Sequence, residues 1–303
     1  MTENTDSVDS EVRYDQEVSY RINAHFESKW RDYVMSAIYR KFVDFFNLSD
    51  QKYVCFVRKF EAKTKKEIAF YLFLGLLPGL IAYIFIYPLR ELMMEWTGLS
   101  AHYVQLYVLV LMSAGWHMCV PFLMLRYKDG LSFKESLVYL GFARLDLKGL
   151  LLVFPILTIL FTFLALPYVK YIYPPLFEWL NGFQAFHMGE WHVFYQGYYD
   201  PNFPLPLFLF GLIGNFIGEE IYFRGYLLRK VGRLKLDWLW IAILFQFYHM
   251  WQIPINWAYV PLAVIIPEEI LVKLRKNIYG AILLHLFVNF LWGMINMYFV
   301  GVR

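Results

Sequence analysis

The sequence predicts an all-α polytopic membrane helix bundle, with about seven transmembrane helices and an N-terminal amphipathic helix. Three observations predict it. Hydrophobic residues make up 59% of the 303 and charged residues only 17%, beyond the apolar content of ordinary soluble domains. Seven apolar segments approach the length of about 20 residues that a helix needs to cross a hydrocarbon core. Lysine and arginine gather in every second connection between those segments.

Residues 1–66 read as a cytoplasmic N-terminal region and 67–303 as the membrane bundle. The first part, 1–17, is polar and acid-rich and predicted to be disordered. Residues 1–66, polar and acidic at the start, predict no cleavable signal peptide, so the internal spans are expected to direct insertion. From 24 to 47, Phe26, Trp30, Tyr33, Val34, Ile38, Phe42, Phe45 and Phe46 recur at helical spacing among Lys29, Arg31, Arg40 and Lys41. That pattern suits an amphipathic helix, either on the inner membrane surface or against the protein's own cytoplasmic loops.

The spans are expected near 68–87, 103–125, 149–168, 205–229, 236–253, 258–273 and 280–301. Basic residues precede the first span (Arg58, Lys59, Lys63, Lys65, Lys66) and fill three connections: Arg126 to Lys148, Arg229 to Lys235, and Lys273 to Lys276. This alternation predicts a cytoplasmic N-terminus and a C-terminus outside. Between 169 and 204, tyrosines and tryptophans such as Tyr171, Tyr173, Trp179, Trp191 and Tyr198 predict structure at the headgroup level of the outer face. The sixth segment is interrupted by Pro267, Glu268 and Glu269, read as a wetted helix break at the interface, with a place at a cavity mouth second.

The net charge of +3 is modest and its basic residues flank apolar spans. Topology accounts for them, and no nucleic-acid partner is expected. Cys55 and Cys119 form neither a disulfide framework nor a metal-ligand spacing. His117, alone inside a span, is expected to be a core group. The expected partners are membrane lipid and a membrane-anchored protein or peptide.

Chemistry concentrates in the late spans. Gly218-Glu219-Glu220-Ile221-Tyr222-Phe223-Arg224 places two carboxylates and a guanidinium inside an apolar run. Ionised groups at such depth are costly unless paired or wetted, which marks a functional site. The fifth segment ends in Phe245-Gln246-Phe247-Tyr248-His249, and the seventh carries His285-Leu286-Phe287-Val288-Asn289. At 1.5 Å rise per residue, Glu220 lies roughly 15 Å in from Lys230, His249 roughly 18 Å in from Asp237, and His285 roughly 12 Å in from Asn277. All fall in one slab near the membrane centre.

Helical spacing pairs Glu220 with Arg224 and turns Glu219 about 100° away, free for another task. His285 and Asn289 share a face by the same spacing. Such a set can activate a water and donate to an oxyanion. Glu219, His249 and His285 also match the donor types of a zinc site.

Glu219-Glu220-x-x-x-Arg224, Phe245-x-x-x-His249 and His285-x-x-x-Asn289, in that order, resemble the three motifs of the CAAX protease and bacteriocin-processing family of intramembrane endopeptidases. The resemblance covers about 205–301. Between its second and third motifs the chain reads Val260 to Glu269 without the glycine usual in the family. It implies a peptidase in which Glu219 activates water with His249, Glu220 and Arg224 form an orienting pair, and His285 and Asn289 stabilise the oxyanion. It implies no cofactor in a metal-free glutamate mechanism and a zinc ion in a metallopeptidase one; the metal-free form is the expectation. The alternative is a non-proteolytic membrane regulator or scaffold of the same family, binding a partner helix or lipid.

Overall fold

The computed structural model describes residues 40–142, 144–186, 189–253, 255–264 and 268–292. The acidic head at 1–17, most of the amphipathic segment expected at 24–47, and the last part of the seventh expected span lie outside them. Contacts divide the chain between residues 49 and 50 into two units. In the first, 40–46 is helical and the rings of Phe42 and Phe46 pack at 4.7 Å.

The second unit is an all-helical membrane bundle, with no strand among the described residues. Helix α1 (Gln51–Arg58) starts where the Asp50 side chain accepts the amide of Tyr53. Helix α2 (Lys65–Ile86) starts at a capping box in which Thr64 and Glu67 satisfy each other's amides. Helix α3 (Arg90–Thr97) is short and ends at Gly98 in the left-handed region. Helix α4 spans Ala101–Tyr127, and α5 (Phe133–Leu140) begins at a second capping box, Ser132 with Glu135. Gly141 closes α5 at φ 92°, where a Cβ would also meet the Arg229 guanidinium.

Helix α6 runs over Gly149–Asn181, well past the expected limit at 168. Its 33 residues make it about 50 Å long, so the added turns carry its tyrosines beyond a core of about 30 Å. Its outer stripe of Leu151, Leu152, Ile159, Leu160, Phe163 and Leu164 is exposed and suits lipid. Helix α7 (Leu205–Lys230) completes the set of four helices long and apolar enough to cross a membrane among the described residues.

The remaining expected spans are shorter pieces. Helix α8 (Asp237–Tyr248) is continued by a tight turn over His249–Trp251. The sixth segment is broken into α9 (Ile255–Tyr259), a tight turn at Val260–Val264, and α10 (Glu268–Arg275). Its prolines explain the breaks, since proline removes a helical amide and excludes the preceding residue from the helical region. Helix α11 is described over Tyr279–Phe290.

One apolar cluster joins α1, α2, α4, α5, α7, α8, α10 and α11, including Tyr71, Leu74, Leu140, Tyr222, Phe223, Tyr226, Leu244 and Ile278. Helices α2 and α8 approach so closely that a Cβ on Gly79 would sit 2.2 Å from the Tyr248 carbonyl oxygen. The chain ahead of α2 is bound to the end of α7: the Ala62 amide donates to the Lys230 carbonyl at 2.8 Å, and Lys230 Nζ reaches Asp129 at 2.5 Å and the Phe60 carbonyl at 3.0 Å. Arg229 and Lys230, read from sequence as topology markers, are thus buried hydrogen-bonding centres. At the far end of α10, Arg275 pairs with Asp146 at 2.5 Å. Burial works against the Asp146 carboxylate, but Arg275 and the Gly149 amide outweigh it and hold the carboxyl below its ordinary range.

Candidate active site

Helix α7 brings the two glutamates to the centre of the unit through wide turns, with backbone bonds spanning five residues over Gly214–Gly218 and Glu220–Leu227. Such turns recur at functional sites because they re-aim side chains within an otherwise regular helix. Two glycines let α7 approach α4: a Cβ on Gly214 would fall 2.4 Å from the Ala114 amide, and one on Gly218 2.6 Å from the Ser113 carbonyl. All residues from Gly218 to Val231 are buried.

Arg224 is the electrostatic hub. Its Nη1 donates to Glu220 Oε1 at 2.9 Å, its Nε to Glu269 Oε1 at 2.7 Å, and its Nη2 is paired with Glu268. The guanidinium carbon lies 3.9 Å from the centre of the Phe245 ring, a cation–π contact. The expectation of a wetted helix break at Glu268 and Glu269 is therefore corrected. Both carboxylates are buried and held by an arginine 45 residues earlier in the chain. Sequence spacing shows the i,i+4 partner of Arg224 but not partners brought in by another helix.

Glu220 Oε1 also bonds His285 Nδ1 at 2.9 Å. His285 thus reaches the centre through Glu220 and presents its Nε2 to Glu219. Glu219 Oε1 accepts from Asn215 Nδ2 at 3.1 Å and from the Tyr248 hydroxyl at 3.3 Å. The other oxygen, Oε2, is buried without a hydrogen-bond partner among the described residues. It lies 3.7 Å from His249 Nε2 and 3.9 Å from His285 Nε2. His249 Nδ1 sits 2.9 Å from the Phe245 carbonyl. A carbonyl only accepts, so this contact assigns the proton to Nδ1 and leaves Nε2 as an acceptor in the neutral ring.

Five of the six residues singled out from sequence, Glu219, Glu220, Arg224, His249 and His285, are drawn together and buried. Asn289 stands apart, exposed, its Nδ2 3.3 Å from Asn215 Oδ1. All but Glu220 line one cavity of about 620 Å³, with Asn215, Tyr248, Glu268 and Glu269. Its remaining walls are mainly apolar and aromatic, including Leu106, Leu109, Phe208, Tyr259 and Leu262.

Asn215 and Tyr248 were not singled out from sequence. Asn215 carried a signal, an amide one helical turn before Glu219 in an apolar run; Tyr248 carried none beyond adjacency to His249. His117 is the buried core group expected. Its ring packs 4.8 Å from that of Tyr248 and 5.0 Å from that of Tyr222, with no hydrogen-bond partner on either nitrogen. Cys55 and Cys119 are free and exposed. Among the described residues, no three His, Cys, Asp or Glu side chains group so as to hold a metal ion.

A family model described as type II CAAX prenyl endopeptidase Rce1-like matches residues 201–291. No curated protein and no solved structure matches the chain. The matched segment contains every residue of the constellation from Asn215 to Asn289, so over this part the chain is similar to CAAX-type prenyl endopeptidases.

Proposed function

We propose that this protein is a CAAX-type peptidase that cleaves a peptide bond of a membrane-associated protein with a water activated by Glu219, and without a metal ion. The observation that carries the reading is the bare Oε2 of Glu219 facing the Nε2 atoms of His249 and His285 at 3.7 and 3.9 Å. The gap between Glu219 Oε2 and His249 Nε2 takes one water at about 2.8 Å from both atoms. The water donates one hydrogen to Glu219 Oε2 and the other to His249 Nε2. As its oxygen attacks the scissile carbonyl carbon, Glu219 takes a proton and the carbonyl π pair moves onto oxygen. That oxyanion is met by His285 in its doubly protonated form, through Nε2, and by the Asn289 amide, whose second hydrogen is not used by Asn215. Collapse breaks the C–N bond, and the proton held by Glu219 goes to the leaving nitrogen, giving one carboxylic acid and one amine.

Glu220 and Arg224 orient His285 rather than react. The apolar walls of the cavity suit a hydrophobic or lipid-modified chain, so a prenylated C-terminus, the substrate named in the family's description, is the class proposed. The N-terminus is proposed to face the cytosol.

Purified full-length protein in detergent should cleave a membrane-anchored peptide. Glu219→Gln should lower the rate by at least about two orders of magnitude, and exhaustive chelation should leave wild-type turnover intact. Unchanged turnover in Glu219→Gln removes Glu219 as the base. Stoichiometric zinc, lost with activity on chelation and regained with it, overturns the metal-free mechanism.

A further inference from the structure

A second cavity, of about 510 Å³, opens at the end of the bundle where α7 stops and α8 begins, walled by α1 and α10. Five cations line it, Arg58, Arg229, Arg233, Lys273 and Lys276, against two carboxylates, Glu61 and Asp237. The carboxylates are already engaged, Glu61 with Arg233 at 3.5 Å and Asp237 with Lys273 at 2.5 Å. The lining therefore carries three positive charges in excess, five minus two.

Arg229 is the built part of this site. It is only 7% exposed. Its Nε donates to the Tyr53 hydroxyl and its Nη1 to the carbonyls of Arg224 and Gly225. Those acceptors are neutral, and among the described residues Nη2 has no hydrogen-bond partner. A guanidinium so buried, with its charge facing no carboxylate, is costly unless an anion completes it. Lys276 reports the same field. It sits at φ 60° in the turn after α10, and burial together with Lys273, Arg229 and Arg275 pushes its amine down to about 8.

We propose that this basic pocket binds a phosphate group carried by an anionic phospholipid headgroup. Its position supports the lipid source, because it lies where the apolar run of α7 gives way to Lys230 and the chain leaves the span. Phosphate oxygens accept several hydrogen bonds at once, which suits Arg58, Arg229 and Lys276 together. The bound anion would tie α1, α7, α8 and α10; α7 carries Glu219, α8 leads into the turn that carries His249, and α10 carries Glu269. The site lies outside the cleavage cavity, and its occupancy is read without any cleavage assay.

The test uses full-length protein in phosphatidylcholine vesicles, with and without phosphatidic acid, near pH 8, where the Lys276 amine is about half neutral. The readout is acylation of Lys276 relative to exposed Lys59, by mass spectrometry. An anion that raises the Lys276 pKa by about one unit cuts its neutral fraction roughly fivefold. Phosphatidic acid should therefore slow Lys276 roughly fivefold relative to Lys59, and Arg58→Gln should weaken this protection while Arg58→Lys keeps it. Equal slowing of both lysines is a general surface-potential effect and overturns the proposal, as does no protection. Equal protection by inorganic phosphate in pure phosphatidylcholine overturns the lipid source.

Discussion

At the scale of single residues, the two oxygens of Glu219 are treated differently. Asn215 and Tyr248 both donate to Oε1, so the carboxylate is fixed by one oxygen, while the other has no hydrogen-bond partner among the described residues. A hydrogen bond to a charged group contributes about 1.5–3 kcal/mol, and each 1.4 kcal/mol is roughly tenfold in rate. Tyr248→Phe should accordingly lower kcat by about tenfold or more and leave KM unchanged; an unaltered kcat would show Tyr248 to be packing alone. This donor was not legible in the sequence, because a tyrosine beside a histidine in an aromatic-rich helix has many other uses. Glu219, Glu220, Arg224, His249 and His285 were legible, since charge and imidazole inside apolar runs carry a cost that demands an explanation. Glu268 and Glu269 were noticed and assigned to the interface, because the partner that keeps them buried is a single arginine in another helix.

At the scale of elements, placement of Tyr248 depends on how near α2 lies to α8. A Cβ on Gly79 would meet the Tyr248 carbonyl oxygen at 2.2 Å and its Cα at 2.7 Å. Backbone, unlike a flexible side chain, gives way only by moving the helix, and overpacking of this kind costs about 1–3 kcal/mol. Gly79→Ala should lower both thermal stability and activity although Gly79 is not among the residues that line either cavity described above. Gly115→Ala, which meets nothing within 4 Å, serves as the control and should be neutral in both; wild-type activity in Gly79→Ala would show that α8 does not need the close approach. Apolar length alone revealed α2, α4 and α7, and it understated α6. It failed for 258–273, where hydropathy is span-like but Pro261 and Pro267 divide the segment. In α7 it gave no sign of the wide turns, which depend on how the helix packs.

At the scale of the whole molecule, buried charge is balanced across distant parts of the chain. Arg224 is matched by Glu220 on its own helix, but also by Glu268 and Glu269, the latter 45 residues further on. Breaking one partner of a buried pair costs about 3–5 kcal/mol because the other charge is stranded. The connection between these carboxylates and the proposed catalytic set runs through one guanidinium, so the proposed site and the fold share their electrostatic foundation.

That sharing has a consequence for how the protein is made. Synthesis delivers α7 to the bilayer with Arg224 answered only by Glu220, and the two later carboxylates arrive after α8 and α9 have emerged. Until then Arg224 lacks two of the carboxylates that pair with it in the folded protein, a costly state for a charge at membrane depth, and α10 docking supplies them. Pulse-chase labelling should show full-length Glu268→Gln/Glu269→Gln decaying faster than wild type, and a chain ending at residue 264 decaying faster still. A truncated chain as long-lived as the wild type would mean that completion of the Arg224 cluster does not set the lifetime of the newborn protein.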